Sequence, residues 1–184
     1  IAAAYLDTAA ELLGAEEWTE RPKQRFELSM QRVECVLMAG EHARAAELCR
    51  ELAELARDPG ARGAVYLLEA RILEAQARFV DAVGATRAGL ALFGITLPSD
   101  PEAISREIGA GIGRMQAHLA SRSPEDLLQL PTLTDPDKRM AMDLLFQSIP
   151  SAIQTFPPLF ILAELIMFDL AVEHGLSPAS AKNF

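Results

Sequence analysis

The chain has 184 residues, 50% of them apolar and 23% charged, which fits one ordered domain, or two closely packed halves, with a continuous core. Its net charge of −9 argues against nucleic acid and against an anionic membrane surface as partners, since both need a basic stripe. Ala, Leu and Glu outnumber the β-branched residues, so helix is favoured over sheet along nearly the whole length.

In chain order, a first helix is expected to reach about Leu13, with Gly14 as its stop. A second starts near Pro22, a good first-turn residue, and ends near Gly40. A third runs from about His42 to Arg57, with Asp58-Pro59-Gly60 read as its close; a fourth covers about Arg62 to Gln76, and a fifth about Phe79 to Phe93, stopped by Gly94. After the connector Ile95-Thr96-Leu97-Pro98-Ser99, Asp100 reads as an N-cap with Pro101 behind it, opening a helix to about Ser121. Ser123-Pro124-Glu125-Asp126 repeats the start signal, with Asp126 as a capping-box acid, for a short helix ending before Pro131. Asp135-Pro136-Asp137 opens another, which Pro150 is expected to interrupt. Pro157-Pro158 opens the last full helix, closed by His174-Gly175, and Ser177-Pro178 starts one more. The total is about eight helices. Ile1 already lies inside a helical pattern and a helix start stands close to Phe184, so the expectation is a segment of a longer chain. No signal peptide is visible.

No stretch alternates apolar and polar residues over a strand's length, and the unit that recurs is a helix pair. At an offset of 37 residues, Gly40-x-His42-x-x-Ala45 aligns with Ala77-x-Phe79-x-x-Ala82, Cys35-Val36 with Ile72-Leu73, Leu48 with Ala85 and Leu55 with Leu92. Residue class repeats rather than identity. This is the logic of a tetratricopeptide (TPR) hairpin. A small residue in the second helix, Ala45 or Ala82, lets the first helix approach; a bulkier one after the turn, Phe79, plugs the gap. Each hairpin leaves an apolar face for a neighbour to cover. The expected fold is therefore an all-α, TPR-like antiparallel helix-hairpin solenoid, with hairpins over 1–94 and a helical extension of the same domain over 95–184.

Chemistry-bearing constellations are sparse. Gly109-x-Gly111-x-Gly113 lacks the spacing of a dinucleotide fingerprint and has no preceding strand, so it reads as a small helix face for close packing or a local kink. His42, His118 and His174 are far apart in the sequence, Cys35 and Cys49 have no metal-type spacing, and neither GxxxxGK[ST] nor GxSxG occurs. No catalytic residue, metal ligand or cofactor is expected, and the two cysteines read as reduced core residues of a cytoplasmic protein. Trp18 reads as a cap on the repeat core. Arg32 and Glu69 occupy equivalent positions in adjacent first helices and are candidates for an inter-unit ion pair. The segment 159–172 is apolar on almost every side, yet too short and, with Glu164 and Asp169, too charged to span a bilayer. It is expected to be buried, or to leave a face for the rest of the chain or a second copy.

From the end of the fifth expected helix onward the residues resemble the helical region of very large bacterial signalling ATPases, a likeness that spans most of the chain. The likeness rests on Leu92-Phe93-Gly94-Ile95-x-Leu97-Pro98; on Ser123-x-Glu125-Asp126-Leu127-Leu128-x-Leu130-Pro131 followed by Thr134-Asp135-Pro136 and Met142-x-Leu144-Leu145; and on Glu173-His174-Gly175-x-Ser177-Pro178-Ala179-Ser180-Ala181. Members typically join a serine/threonine kinase domain to a STAND or AAA-type ATPase. A TPR-like region follows, then often a GAF domain and a histidine kinase or cyclase. The resemblance implies that this piece follows the ATPase. None of the family's catalytic residues falls within these motifs.

The expected role is that of a non-enzymatic scaffold or sensor that takes a protein, peptide or ligand and relays its state to flanking domains. Its concave face would be lined by Met30, Glu34, Leu37 and Met38 in one unit and Leu67, Arg71 and Glu74 in the next. A free-standing TPR-type adaptor is the alternative. An enzyme ranks third, because no polar cluster suggests perturbed titratable groups.

Overall fold

The computed structural model describes residues 5, 6, 8, 21–123, 126, 127 and 129–177. Within them the chain is all-α. Its helices are α1 (Pro22–Met38), α2 (His42–Leu55), α3 (Pro59–Ala75), α4 (Phe79–Ala91), α5 (Pro101–Ser121), α6 (Pro136–Thr155) and α7 (Pro157–His174). The first expected helix and Trp18 fall largely or wholly outside the described residues.

Local chemistry sets the helix starts. Asp58, Asp100 and Asp135 each stand one residue before a proline at N1. Their carboxylates accept from Ala61 N at 2.8 Å, from Ala103 N at 2.8 Å, and from Asp137 N and Lys138 N at 2.9 and 3.2 Å. Asp58-Pro59-Gly60 is thus a start and not a close, and α3 begins three residues earlier than expected. The reciprocal capping box is present at Ser123 and Asp126, with Ser123 N donating to Asp126 Oδ2 at 2.8 Å and Asp126 N to Ser123 Oγ at 3.2 Å. The carboxylate's hydrogen bonds from Ser123, the backbone N–H foremost and then the hydroxyl at 2.9 Å, hold the Asp126 carboxyl below its ordinary range.

Pro150 does not interrupt its helix: α6 continues through it to Thr155. An interior proline costs about 3 kcal/mol. Here it lies on the solvent face, while Leu145, Ser148, Ser151 and Ala152 around it are buried, so tertiary packing outweighs the lost backbone bond.

Two hairpins, α1–α2 and α3–α4, stack in register, with α2 against α3. Equivalent positions of the 37-residue repeat share their burial: Ala45 with Ala82, Val36 with Leu73, and Leu48 with Ala85 are all buried. The third hairpin is α6–α7. It is α6, not α5, that packs on both α3 and α4, and α5 lies outside the stack on the far side of α7. The width of the apolar faces explains this choice. Helix α5 buries only Ile104 and Gly111, enough for one neighbour, whereas α6 buries seven residues spread around its circumference.

Helix α7 therefore lies between α5 and α6, which accounts for its all-round apolar sequence. The face expected to remain for a partner narrows mainly to Ile161, 45% exposed. Of the glycine triplet, Gly111 alone sits against α7, where a Cβ would come within 3.1 Å of Leu165; Gly109 and Gly113 face open space. Arg114 Nε donates to Asp169 Oδ2 at 2.7 Å along the same seam. Helix α7 ends at Gly175, beyond which Leu176 pairs with the 131–133 segment: Leu176 N donates to Pro131 O at 2.7 Å and Leu133 N to Leu176 O at 2.8 Å.

Candidate functional site

The first helices of the three hairpins, α1, α3 and α6, present one face, and most of the residues expected to line it lie along their junctions. Arg71 donates to Glu34 at 3.1 Å across the α1–α3 junction. These two residues are 37 apart, one repeat, and lie two residues along from the expected Arg32–Glu69 pair. Glu69 instead stands beside Arg78. At the α3–α6 junction the Glu74 carboxylate accepts from Ser151 Oγ at 2.6 Å and from Gln147 Nε2. Burial pushes the Glu74 carboxyl above its ordinary range, and these hydrogen bonds pull it part of the way back.

Met30 and Leu37 are half-buried against the core between α1, α2 and α3, and Leu67 against the larger core around α6. Met38 alone of the set is freely presented, at 82% exposed. The face expected to bind is thus knit largely to itself. Gln147 and Ser151, which complete it, were not anticipated, because their role depends on α6 taking the place next to α3.

A second concavity lies on the opposite side of α3. It is a groove of about 790 Å³ between the second helices α2 and α4, floored by α3. Val65, Ile72 and Leu73 form its apolar floor, Ala46, Ala53 and Gly84 keep its walls low, and Arg50, Arg62, Glu69, Arg78 and Asp81 provide its charges. Arg78 is taken by Asp81 at 2.7 Å. Loss of hydration raises the Glu69 carboxyl, and Arg78 partly offsets it. Helical periodicity marks position 69 only as an ion-pair candidate and does not mark the space between α2 and α4.

Cys49 lines the same groove but is buried, its Sγ 3.9 Å from Val65 O, and burial pushes its thiol up to about 11. A thiol held at about 11 carries about a hundredfold less thiolate at neutral pH than an ordinary one. Iodoacetamide at pH 7.5 is therefore expected to modify half-buried Cys35 well before Cys49 in the folded chain. Peptide mapping that found Cys49 alkylated first would contradict this environment.

Glu164 is half-buried on α7 and, among the described residues, has no hydrogen-bond or ion-pair partner; loss of hydration raises its carboxyl. A folded state that holds this proton more tightly than the unfolded chain loses stability as pH rises from about 4.5 through the raised value. Glu164→Gln is expected to flatten the dependence of melting temperature on pH across that window. Identical wild-type and variant slopes would exclude a contribution from this side chain.

Among the described residues no group of three or more His, Cys, Asp or Glu is placed to hold a metal ion, and no helix is long and apolar enough to cross a membrane. His118 packs its ring 6.3 Å from that of Phe168 and its Nδ1 is 2.8 Å from an Arg122 nitrogen, while His174 sits beside Glu173 in the last turn of α7. The fold is that of an all-α helical-repeat protein. Comparison with protein-family models, with curated proteins and with solved structures finds no match to this chain.

Proposed function

We propose that this chain is a non-catalytic helical-repeat scaffold and sensor segment of a multidomain signal-transduction ATPase or kinase, relaying the state of a bound partner to flanking domains. The observation that carries the reading is the line of polar contacts through α1, α3 and α6: Glu34 to Arg71, then Glu74 to Gln147 and Ser151. It ties three hairpins into one stack, so a displacement at one end is transmitted to the other without being absorbed in a loose joint. The motifs by which the sequence resembles the signalling ATPases support this reading. Met142, Leu144 and Leu145 are fully buried in the third hairpin, and Gly175 shapes the end of α7.

The test is made in the full-length parent. Its reading frame is expected to encode a P-loop ATPase upstream. Glu74→Ala, which removes the hydrogen bonds from Gln147 and Ser151 across the α3–α6 junction, is expected to leave basal ATP turnover intact while changing the response of the output domain several-fold. A reading frame with no ATPase or kinase, or an output that ignores Glu74→Ala, would sink the proposal.

A further inference from the structure

We infer that the groove between α2 and α4 is a docking site for a short amphipathic helix of a partner protein, one that carries carboxylates at one end of an aliphatic stripe. The inference rests on the reading of the chain as a docking and relay segment, and adds the surface and the chemistry of the partner.

The groove runs along α3. Cys49 Sγ lies near Val65 O, which sets Arg50 on α2 level with Arg62 and Tyr66 on α3. Arg62, Tyr66, Glu69, Leu73 and Gln76 follow one another at helical spacing along the floor, a run of roughly 20 Å at 1.5 Å per residue. That length suits about four turns of a bound helix.

Apart from Arg78, which Asp81 holds, the donors on the two faces of α3 differ in their pairing. On the α1–α3–α6 face Glu34, Arg71 and Glu74 are paired within the chain. In the groove, the guanidinium groups of Arg50 and Arg62 and the Tyr66 hydroxyl have no hydrogen-bond or ion-pair partner among the described residues. Arg50 and Arg62 lie toward the end where α2 turns into α3, Tyr66 lies one turn further along α3, and all three donate. On a chain of net charge −9 this is a local cluster of unanswered donors, complementary to carboxylates.

From that cluster toward α4, Val65, Ile72 and Leu73 offer aliphatic floor, and exposed Val80 stands on the α4 wall. The low walls at Ala46, Ala53 and Gly84 give a helix room to approach α3 closely. Acidic residues followed by an i, i+4 apolar stripe match the groove from end to end, in the helix-in-groove mode of recognition.

The probe is a phage-displayed library of 16-residue peptides selected on the whole chain, with enriched peptides synthesised and measured by fluorescence anisotropy. Enriched sequences are expected to place Asp or Glu beside an i, i+4 apolar pattern. They should bind the double variant Arg50→Glu/Arg62→Glu at least tenfold more weakly, and bind Arg106→Glu, an exposed change on α5, unaltered. Exchanging the peptide's acids for lysine should restore binding to the double variant. Tyr66→Phe, which removes only the hydroxyl, should weaken binding several-fold. Enriched peptides that bind the double variant as tightly as the wild type overturn the groove. If the same peptides are lost on Met38→Glu, the docking segment stands and its site is the α1–α3–α6 face. A selection that enriches no binder overturns both readings.

Discussion

Replacing Gly175 by alanine is expected to cost roughly 3 kcal/mol of stability, combining an unfavourable backbone conformation with a steric clash. Gly175 has φ +109° and ψ 173°, a combination essentially restricted to glycine. A Cβ built there would meet Pro131 O at 2.3 Å and Leu133 N at 3.0 Å, both of them backbone atoms that cannot swing aside. Relief requires parting the 131–133 segment from Leu176, which breaks two backbone hydrogen bonds and exposes Leu133, now 1% accessible. Urea unfolding of Gly175→Ala measures the loss. A midpoint equal to that of the wild type would mean that this junction is not closed as described.

Leu144→Ala is expected to destabilise by about 2–5 kcal/mol, the range for a fully buried leucine whose cavity does not collapse. Leu144 is 0% exposed and carries the contact that sets α6 on α4: both of its methyl carbons would lie 3.0 Å from a Cβ placed on Gly89. A second substitution makes the test specific. Gly89→Ala alone should destabilise, since Leu144 and the Tyr66 Cβ, also at 3.0 Å, crowd the new methyl. In the Leu144→Ala background the same change should cost clearly less, since only the Tyr66 Cβ contact remains. The methyl then fills vacated space, and alanine favours a helix over glycine by about 1 kcal/mol. Simple additivity of the two changes would mean that α6 does not sit on α4 at this point.

Much of the helix order was legible because it depends on local chemistry. The Asp-Pro pairs at 100–101 and 135–136 are helix starts whatever surrounds them, since a carboxylate one residue before the first turn satisfies free backbone N–H groups. The same pair at 58–59 was misread as a stop because it follows a helix so closely. The repeat was legible in residue class, as the matched burial of Ala45 and Ala82 shows. The candidate face was legible only in part. Helical spacing placed Glu34, Arg71 and Glu74 toward one side, but could not say that Arg71 meets Glu34, or that Glu74 meets residues 73 and 77 positions further along.

By itself, then, the sequence determined the class of fold, the starts of most helices and the spacing of the first two hairpins, because capping, helix propensity and apolar periodicity act within a few residues of one another. Only the tertiary structure decided that α6 and not α5 continues the stack, that Pro150 stays inside a helix, and that a groove with unpaired donors opens between α2 and α4. Those outcomes depend on which surfaces bury the most apolar area together. Ile104 and Gly111 give α5 one narrow stripe, while Met142, Leu144, Leu145 and Ala152 give α6 enough to cover three neighbours.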